Sequence, residues 1–556
     1  MTTKVKPENN LAKGNISLIL INLIILTVII ITQLTLAYNL QKFSRAEIFF
    51  AQCAKEMIAQ ANFITPLFHN HPFFDKPILT YWLIILSFKQ FGINHLAARI
   101  PSILAALTTN LVLIYFSLKN FDRKITPIII MVLNTAFMYL SFTVSCMSDM
   151  LLTTFDTISV MLLYQFVDTK SAKYLYLTAV SMSWAFLVKG PVGIVLPGIS
   201  LLIYLFLTNK FKLLKPVHFL LGLIIFLLIS MPWFIFVYLK CGLPAIKYFF
   251  FHENVTRYLG ATYDTHRPIW YMLSSLMLGL APWSYFIPIA LYNFVQNWLK
   301  NKPDKFELYI WVYVTTLLLF FTFSHGKIDY YMLPTYPVLA ILIGKTMSAS
   351  SKNNALYGYV FTALLNVICL GFTYITLIIP KFNNSLNLYL IALSVIIFLS
   401  NIFLLFQKKL NATYILNGFY LIYLTLVFAN YILPNINKFQ PAIIYAKDII
   451  KKQQNSPIGI YGSIQNKWFD ELTFTTNTEP ISLNNETDLK NFINSTQNSY
   501  IIGSKDELFK LTQNFKNLQI LKIMPTVSHS LNPGFLFKNQ GKLTNGQELM
   551  LIQKKP

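Results

Sequence analysis

Long apolar runs dominate this chain and decide what it can fold into. Stretches of eighteen or more residues with few charges recur from residue 15 to about residue 433. A helix of about 20 apolar residues crosses the hydrocarbon core of a bilayer, where every backbone polar group has to be satisfied within the chain. Only 12% of the residues are charged, about half the fraction of a soluble domain. The sequence therefore predicts a polytopic α-helical membrane protein.

The placement of lysines predicts how the chain crosses the membrane. Fourteen candidate segments lie near 15–37, 77–93, 98–118, 126–146, 149–168, 172–188, 190–208, 217–238, 269–291, 307–324, 331–345, 356–378, 387–407 and 413–433. Segment 77–93 is the weakest, because it is short, begins at Pro77 and contains Lys89. If it does not cross, the N-terminus and the lysine-rich loops share the cytoplasmic side, as the positive-inside rule requires. We therefore predict thirteen spans, with 77–93 interfacial or re-entrant and the C-terminus outside.

The net charge and the cysteines fit this class of protein. The formal charge of +23 suits either a nucleic-acid partner or lysines gathered in cytoplasmic loops. No nucleic-acid-binding motif accompanies the charge, so the loop interpretation is favoured. The four cysteines show neither paired nor metal-type spacing, and we expect no disulfide framework. The first apolar run, 16–38, is too long for a signal-peptide core and is predicted to be an uncleaved span.

The composition changes at about residue 434, where long apolar runs stop and polar residues become frequent. Short β-prone runs follow at 458–461, 500–502, 518–521, 535–537 and 549–552, with helix-like stretches at 441–452 and 505–514. Roughly 120 residues can bury a core of their own. The sequence thus predicts a transmembrane domain over 1–433 and a small α/β domain over 434–556 on the external (periplasmic) side.

Four polar islands interrupt the apolar chain, and the predicted topology places all of them on the external face. They cover 41–76, 147–149, 239–268 and 325–331. Charged residues in or beside a membrane are costly, so a functional site is their default interpretation. The richest island includes the run Phe-His-Glu-Asn-Val-Thr-Arg-Tyr at 251–258. We therefore expect a single cavity to gather the four islands.

Most charged residues in these islands also have a purely structural interpretation. Glu47 lies in a stretch that fits an interfacial amphipathic helix, or its carboxylate points into the cavity. Asp75 and Lys76 precede a proline, as at the start of a helix. Alternatively, Lys76 binds an anion such as phosphate, and Asp75 binds a metal or an acceptor hydroxyl. Asp149 fits a helix cap.

Three cations in the islands fit a phosphate or pyrophosphate group at the membrane surface. Lys327 occupies a short external loop against the positive-inside trend, and Lys76 and Arg257 lie in neighbouring islands. Ammonium and guanidinium groups bind phosphate oxygens through charge-assisted hydrogen bonds. Tyr331, in the same island as Lys327, fits an interfacial aromatic belt by default.

The order of the motifs resembles the ArnT-like (aminoarabinose transferase) branch of the C-type membrane glycosyltransferases, which is related to protein mannosyltransferases. An acid-containing amphipathic helix comes first, followed by Phe-Phe-Asp-Lys-Pro at 73–77 and an aspartate at a span end. Then come His-Glu-x-x-x-Arg-aromatic at 252–258, His-x-Pro-x-Trp-Tyr at 266–271 and Ser-x-Gly-Lys-x-x-x-Tyr-x-Leu-Pro at 324–334. Each motif alone is unspecific, whereas their order over residues 15–350 is specific.

The resemblance implies a GT-C fold and a sugar transfer from a polyprenyl (undecaprenyl) phosphate-linked donor to a membrane-associated acceptor such as lipid A. By motif, Lys76, Arg257 and Tyr331 would hold the donor phosphate, with Lys327 beside them. Asp149 matches the second aspartate of the family and is a candidate catalytic residue.

The resemblance also implies a metal position and reveals a departure. Asp75 and His252 occupy the family's metal-associated positions. The first loop of the family typically reads Asp-Glu-x-x-Tyr, and its Asp is the leading catalytic candidate; here Ala46 replaces it. Either Glu47 takes over, shifted by one residue, or catalysis is impaired. Asn254 stands where a second histidine is common.

We predict an inverting glycosyltransferase of the bacterial inner membrane, with lipid A or another glycolipid as acceptor and no nucleic acid as partner. Glu47 or Asp149 would accept a proton from the acceptor. We expect that no cofactor is required. The sequence leaves open whether a divalent metal binds. One alternative is a lipid-linked sugar transporter or flippase, which predicts inverted repeats and broken helices near the membrane midplane. The other is a catalytically impaired relative with an assembly role, motivated by Ala46.

Overall fold

A computed structural model describes most of the chain. The described residues are 8–260, 267–300, 304–349, 352–378, 384–437, 444–446, 448–449, 456–462, 465–476, 478–496, 498–512, 517–527 and 544–554. His266 of the His-x-Pro motif and the β-prone run at 535–537 lie outside them.

The described part of the chain up to residue 437 is helical, apart from one short hairpin. Its α-helices are α1 (Glu8–Asn39), α2 (Arg45–Ala59), α3 (Leu79–Phe91), α4 (His95–Asn120), α5 (Thr126–Thr135), α6 (Phe137–Thr143), α7 (Ser148–Thr169), α8 (Ala172–Lys189), α9 (Val192–Leu207), α10 (Pro216–Lys247), α11 (Arg257–Leu259), α12 (Tyr271–Gly279), α13 (Phe286–Leu299), α14 (Lys305–Phe323), α15 (Tyr336–Ser348), α16 (Lys352–Ile378), α17 (Asn384–Phe406), α18 (Leu410–Val427) and α19 (Leu433–Asn437). The antiparallel hairpin pairs β1 (Leu67–Phe68) with β2 (His71–Pro72).

The helices confirm a protein that crosses the membrane several times. Among the described residues, seven helices are long and apolar enough to cross, or up to nine if each of two bent pairs is one span. The predicted number of thirteen is therefore not confirmed. Helix α3 has 13 residues and is about 20 Å long. That length is too short for a core of about 30 Å, as expected for an interfacial or re-entrant segment at 77–93.

Two segments that were predicted as single spans are bent. Within 126–146 the chain turns by 72°, because Ala136 has an extended backbone and the next N–H, that of Phe137, donates to the carbonyl of Ala281. Within 269–291 the bend is 118°. Pro282 lies in that break and has no N–H with which to continue a helix. The apolar pattern identified both segments but not their breaks.

Helix α10 ends in a wider turn that contains the richest polar island. Gly242 interrupts the helix with a φ of +75°, a conformation that glycine adopts without strain. Residues Tyr248–Thr256 then form a π-helical turn. Such turns are rare overall, but many of those that occur lie at functional sites. They rotate the following side chains out of α-helical register. The polar island is thus helical as far as Leu259.

Residues 456–554 contain a five-stranded sheet and its helices, here called the C-terminal unit. Its elements are β3 (Ile458–Tyr461), α20 (Gln465–Thr476), β4 (Ile481–Leu483), α21 (Glu486–Ser495), β5 (Ser499–Ser504), α22 (Lys505–Thr512), β6 (Leu518–Val527) and β7 (Thr544–Lys554). The strand order is β4-β3-β5-β7-β6. Strand β3 is parallel to β4 and β5, with Ile460 opposite Ile502, and β7 is antiparallel to both of its neighbours.

The C-terminal unit follows the pattern predicted from its composition. Four of the five β-prone runs are strands, and the helix-like stretch at 505–514 is helical over its described part. Of the stretch at 441–452, residues 444–446 and 448–449 are helical. The domain boundary near residue 434 stays a prediction.

Helix α2 is covered by protein on two sides. It packs against α3 of the helical bundle and against α20 of the C-terminal unit. Its residues Ala51, Cys53, Ala54 and Met57 are fully buried. Phe474 of α20 belongs to the large apolar core of the bundle, whereas the sheet has two apolar cores of its own. The apolar face of α2 therefore meets protein, which the interpretation as an interfacial amphipathic helix did not include.

Candidate active site

A cavity of about 1140 Å³ lies where α2, α7, α8 and α9 approach the π-helical turn and the 324–334 segment. Much of its wall is apolar, including Phe249, Val255 and Phe321. Its charged and phenolic lining residues are Arg45, Asp75, Lys76, Tyr81, Asp149, Lys189, Glu253, Arg257, Tyr258, Tyr330 and Tyr331. All four predicted polar islands contribute to this wall.

Asp75, Lys76, Glu253 and Arg257 form the first charged cluster of the cavity. Lys76 Nζ lies 3.0 Å from Asp75 Oδ1 and 3.9 Å from Glu253 Oε2. Arg257 Nη1 lies 3.2 Å from Glu253 Oε2 and 3.8 Å from Asp75 Oδ1. Each of the two cations is thus shared between the same two carboxyl groups.

The backbone explains how this cluster assembles. Glu253 and Arg257 are four residues apart at the end of the π-helical turn. Asp75 and Lys76 lie in the loop before α3, whose N-cap is Ile78 without a side-chain hydrogen bond. Asp75 is therefore not a helix cap. Burial raises the pKa of Asp75, but Lys76 and Arg257 outweigh burial and hold that pKa well below its ordinary value, so Asp75 is ionised at neutral pH.

Asp149 and Lys189 form the second charged cluster. Lys189 Nζ, at the end of α8, donates to Asp149 Oδ1 in the first turn of α7. The N-cap of α7 is Met147, so Asp149 does not cap the helix through its side chain. Lys189 Nζ also lies 5.2 Å and 5.5 Å from the ring centroids of Tyr331 and Tyr330, within the range of cation–π attraction.

Tyr331 joins the two clusters. Its hydroxyl feels the charges of Arg257 and Lys76, while its ring faces Lys189. Burial raises the pKa of Tyr331, and the neighbouring Arg257 and Lys76 only partly offset this effect. Tyr331 is therefore a neutral hydroxyl at physiological pH, able to donate a hydrogen bond to an anion.

Glu47, predicted as a catalytic carboxylate, lies outside the cavity wall. It is 5% exposed, and its Oε1 lies 3.0 Å from Arg99 Nε. The carboxylate also accepts from Cys146 N–H at 2.9 Å and from Ser44 N–H at 2.8 Å, the latter as part of a capping box. Burial raises the pKa of Glu47, but Arg99 and these hydrogen bonds together lower it. The expectation that Glu47 points into the cavity is wrong.

Ala46 occupies the position that faces the cavity. The residues of α2 that line the wall are Arg45, Ala46, Phe49 and Phe50. These positions form one stripe of a helix. Glu47 is rotated by about 100° from Ala46 and faces Arg99, so a shift of one residue does not bring a carboxylate back to the cavity.

Lys327 and His252 lie beside the cavity rather than on its wall. Lys327 Nζ donates to the carbonyl of Ser324 at 2.7 Å and stabilises its own loop. His252 Nδ1 lies 3.1 Å from Glu253 Oε1, and its ring stacks on Tyr248 at 4.6 Å. The predicted place of Lys327 among the cations of the cavity is therefore corrected: Lys189 lies there instead.

The donor set implied for a metal does not come together as expected. Within the described ranges, no group of three or more His, Cys, Asp and Glu side chains could hold a metal ion. Asp75 faces Lys76 and Arg257, and His252 faces Glu253. The metal position at Asp75 and His252 stays a prediction, and no chemical step is drawn through it.

Three charged cavity residues were not singled out from the sequence. The predicted topology places Lys189, like Lys327, among the few external cations, and this signal could have found it. Glu253 is the acid of the His-Glu motif itself. Arg45 precedes the stretch examined for Glu47, and only the stripe shared with Ala46 shows that it faces the cavity.

The fold matches that of a solved bacterial enzyme. ArnT from Cupriavidus metallidurans in the apo state superimposes with a TM-score of 0.72 over 98% of both chains, at 18% identity. The structure of ArnT from the same organism bound to undecaprenyl phosphate gives 0.70, over 96% of this chain and 97% of that one. At this identity the likeness shows the fold alone.

Sequence relatives point in the same direction. Residues 75–236 match the family described as dolichyl-phosphate-mannose-protein mannosyltransferase. The undecaprenyl phosphate-alpha-4-amino-4-deoxy-L-arabinose arabinosyl transferase of Wigglesworthia glossinidia brevipalpis is 28% identical over 325 residues, 57% of each chain. An uncharacterized protein of Aquifex aeolicus (strain VF5) is 30% identical over 321 residues, 57% of this chain and 70% of that one. The chain thus spans little more than half the length of the arabinosyl transferases that it matches.

The fold is that of the C-type membrane glycosyltransferases, and the family match over residues 75–236 agrees with it. Within that class, the chain belongs to the ArnT-like family.

Proposed function

We propose that this chain transfers a sugar from a polyprenyl-phosphate-linked donor to a membrane-associated acceptor, such as lipid A or another glycolipid. One observation carries the proposal: the charged clusters of the cavity lie beside an apolar wall. The cationic lining residues are Arg45, Lys76, Lys189 and Arg257, and the acidic ones are Asp75, Asp149 and Glu253. The four cations outnumber the three acids by one. This excess positive charge suits a phosphate, and the apolar wall suits a prenyl chain.

In this proposal, Lys76, Arg257 and Tyr331 hold the donor phosphate. Lys76 and Arg257 reach it from two different segments, and both are already oriented by Asp75 and Glu253. Groups fixed before the reaction stabilise developing charge without reorganisation at the moment of reaction. Lys189 stands on the other side of Tyr331 and adds positive charge for the donor or for an acceptor phosphate.

The proposed chemical step is a displacement at C1 of the sugar. The acceptor oxygen forms a bond to C1 while the bond from C1 to the donor phosphate breaks, so the configuration at C1 inverts. The electron pair leaves with the polyprenyl phosphate, whose charge Lys76 and Arg257 balance. A hydroxyl acceptor would give its proton to Asp149. A phosphate acceptor needs little base catalysis, which is compatible with Ala46 in place of an acid.

We infer that the cavity opens on the periplasmic face of a bacterial inner membrane, with the N-terminus in the cytoplasm and the C-terminal unit in the periplasm. The lysine-rich loops support this orientation through the positive-inside rule. The convergence of the four polar islands on one cavity agrees with it.

Ala46 favours a second candidate function, that of a relative that binds the donor without transferring the sugar. The cavity wall has no acid at this position, and Glu47 does not replace it. Such a protein would bind undecaprenyl phosphate and leave every glycolipid unchanged.

Mass spectrometry of lipid A and core oligosaccharide tests the proposal. Cells lacking the gene are complemented with the wild-type chain, with Lys76→Met and with the matched control Lys327→Met. We expect a pentose- or hexose-sized mass that disappears on deletion and returns with the wild type and with Lys327→Met, but not with Lys76→Met. Unchanged glycolipids together with donor binding would favour the second candidate. Unchanged glycolipids without donor binding would refute both.

A further inference from the structure

Acids of the C-terminal unit meet two histidines of the helical part. His95 Nε2 lies 2.7 Å from Glu471 Oε1. His69 Nε2 lies 3.0 Å from Asp470 Oδ1, and its Nδ1 lies 3.1 Å from Glu479 Oε1. A neutral imidazole has one N–H, so only the imidazolium of His69 donates to both carboxylates. This contact is therefore complete only when His69 is protonated.

Glu471 also holds the backbone next to these histidines. It is 5% exposed, and its Oε2 accepts from Phe43 N–H at 3.2 Å. Phe474 packs its ring edge-on against Phe43 at 5.0 Å. Lys55 of α2 donates to the carbonyls of Thr473 at 2.9 Å and Phe474 at 2.5 Å, near the end of α20, where the helix dipole favours a cation. The C-terminal unit thus makes contacts both with the segment before α2 and with α2 itself.

A row of contacts continues from Phe43 to the cavity wall. The guanidinium of Arg99 lies over the Phe43 ring, 5.1 Å from its centroid. Arg99 pairs with Glu47, and Glu47 accepts the N–H of Cys146. Cys146 directly precedes residues 147–149, which line the cavity. A displacement of Phe43 therefore reaches the wall through two buried side chains.

We propose that Glu471 is a positioning residue for the reaction: it holds the corner between Phe43 and Glu47, so that Ala46 and Asp149 keep their places on the cavity wall. The contacts of His69 and His95 with Asp470, Glu479 and Glu471 add to this hold of the C-terminal unit on the helical part. The inference rests on the proposed function only for its effect on catalysis. The mechanical coupling itself is independent of the substrate.

Other charged groups surround the two histidines. The charged groups packed around them are Lys42, Lys55, Glu56, Arg99, Asp470, Glu471 and Glu479. The carboxylate of Glu56 accepts from the backbone N–H groups of His69 and Asn70 and adds negative charge beside the imidazole.

Hydrogen–deuterium exchange on the full chain in lipid nanodiscs tests the coupling. The two reporting segments are 43–47 and 144–149, which contain the donor amides of Phe43 and Cys146. Glu471→Gln should accelerate exchange in both segments by about tenfold, the effect of losing roughly one charge-assisted hydrogen bond. The matched control is Glu486→Gln, which breaks an exposed ion pair with Lys490 on the same unit. It should change neither segment.

Rescue by a conservative variant adds a readout that a merely structural role would not move. Glu471→Asp keeps the carboxylate, so protection of 144–149 should stay within about threefold of the wild type, whereas Glu471→Gln should lose about tenfold. Acceleration confined to 43–47 in Glu471→Gln overturns the proposal, as does equal acceleration in Glu471→Asp and Glu471→Gln. Binding of undecaprenyl phosphate, measured on the same samples, separates the two proposals: coupled exchange without binding leaves this inference standing and refutes the proposed function.

Discussion

Glu47 and Arg99 form a buried ion pair at the corner where α1 gives way to α2, with 3.0 Å between Oε1 and Nε. The guanidinium also donates to the carbonyls of Ala37, Leu40 and Lys42. A single side chain from α4 thus organises the end of α1, the connecting loop and the first turn of α2. The ion pair does not line the cavity. It supports the first turn of α2, whose other residues do line the cavity.

Glu47→Gln should therefore act mainly on stability. Removing one partner of a buried ion pair leaves the other charge uncompensated, and we expect a loss of about 3 kcal/mol in the free energy of unfolding. Transfer per folded molecule should fall by less than about tenfold, whereas loss of a general base costs about a hundredfold or more. Denaturant unfolding in detergent and turnover per folded molecule measure the two effects. If stability were unchanged and turnover fell a hundredfold, Glu47 would be a catalytic residue after all.

Acid should remove the contribution of this pair. The folded state holds the pKa of Glu47 below its ordinary value of 4.5, so the stabilisation is fully present above that pH and is lost as the pH falls through the lowered pKa. Between about pH 6 and pH 3.5, the melting temperature of the wild type should fall more than that of Glu47→Gln. Asp75 has a lowered pKa in both proteins and cancels in the difference. Parallel curves would contradict this assignment.

Lys76 and Lys327 should respond differently to the same substitution. Lys76→Met removes a cation that lines the cavity and should lower transfer by about a hundredfold or more. Lys327→Met removes an ammonium that stabilises its own loop, and we expect less than a threefold change, within the range of ordinary surface substitutions. Initial rates with a polyprenyl-phosphate sugar compare the two. Equal losses would place Lys327 at the phosphate after all.

Ala46→Asp should add a carboxylate to the cavity wall. The side chain of residue 46 faces the cavity, and a well-placed base contributes about a hundredfold or more to proton transfer. We expect at least about a tenfold gain in transfer to a hydroxyl acceptor. Ala46→Asn has the same shape without the charge and should give no gain. If both variants behave alike, the missing acid does not limit the rate.

Chelation should leave the protein active. No group of three potential ligands occurs among the described residues, and Lys76 and Arg257 already balance Asp75. After dialysis against EDTA, binding of undecaprenyl phosphate and transfer should stay within about twofold of the untreated values, because Lys76 and Arg257 rather than a metal ion balance the charge of Asp75. A loss that zinc or magnesium reverses would support the metal position at Asp75 and His252.

Much of the fold could be predicted from the sequence, because apolar length and lysine placement are local signals. The convergence of Asp75, Asp149, Arg257 and Tyr331 on one cavity followed from placing their islands on the same side of the membrane. The bend at Ala136 could not be predicted, since the apolar pattern is the same on both sides of it.

The errors at the site arise from geometry that the sequence does not state. Glu47 and Ala46 are neighbours in the chain, but a helix turns them about 100° apart. The contact between Phe43 and Glu471 joins residues 428 positions apart, and no periodicity or motif indicates such a pair. The placement of lysines could have identified Lys189, but this residue lies outside the motifs.

The apolar wall of the cavity has a consequence for kinetics. Phe251, Val255 and Leu259 line the cavity and are also among the exposed large side chains. Its rim is therefore continuous with an exposed apolar surface at the end of the candidate span Pro216–Leu259. A substrate with a prenyl tail would arrive by lateral diffusion within one leaflet and would never enter bulk water. Its apparent KM is then a mole fraction of the bilayer, and adding inert phospholipid at constant total substrate slows the reaction by surface dilution alone.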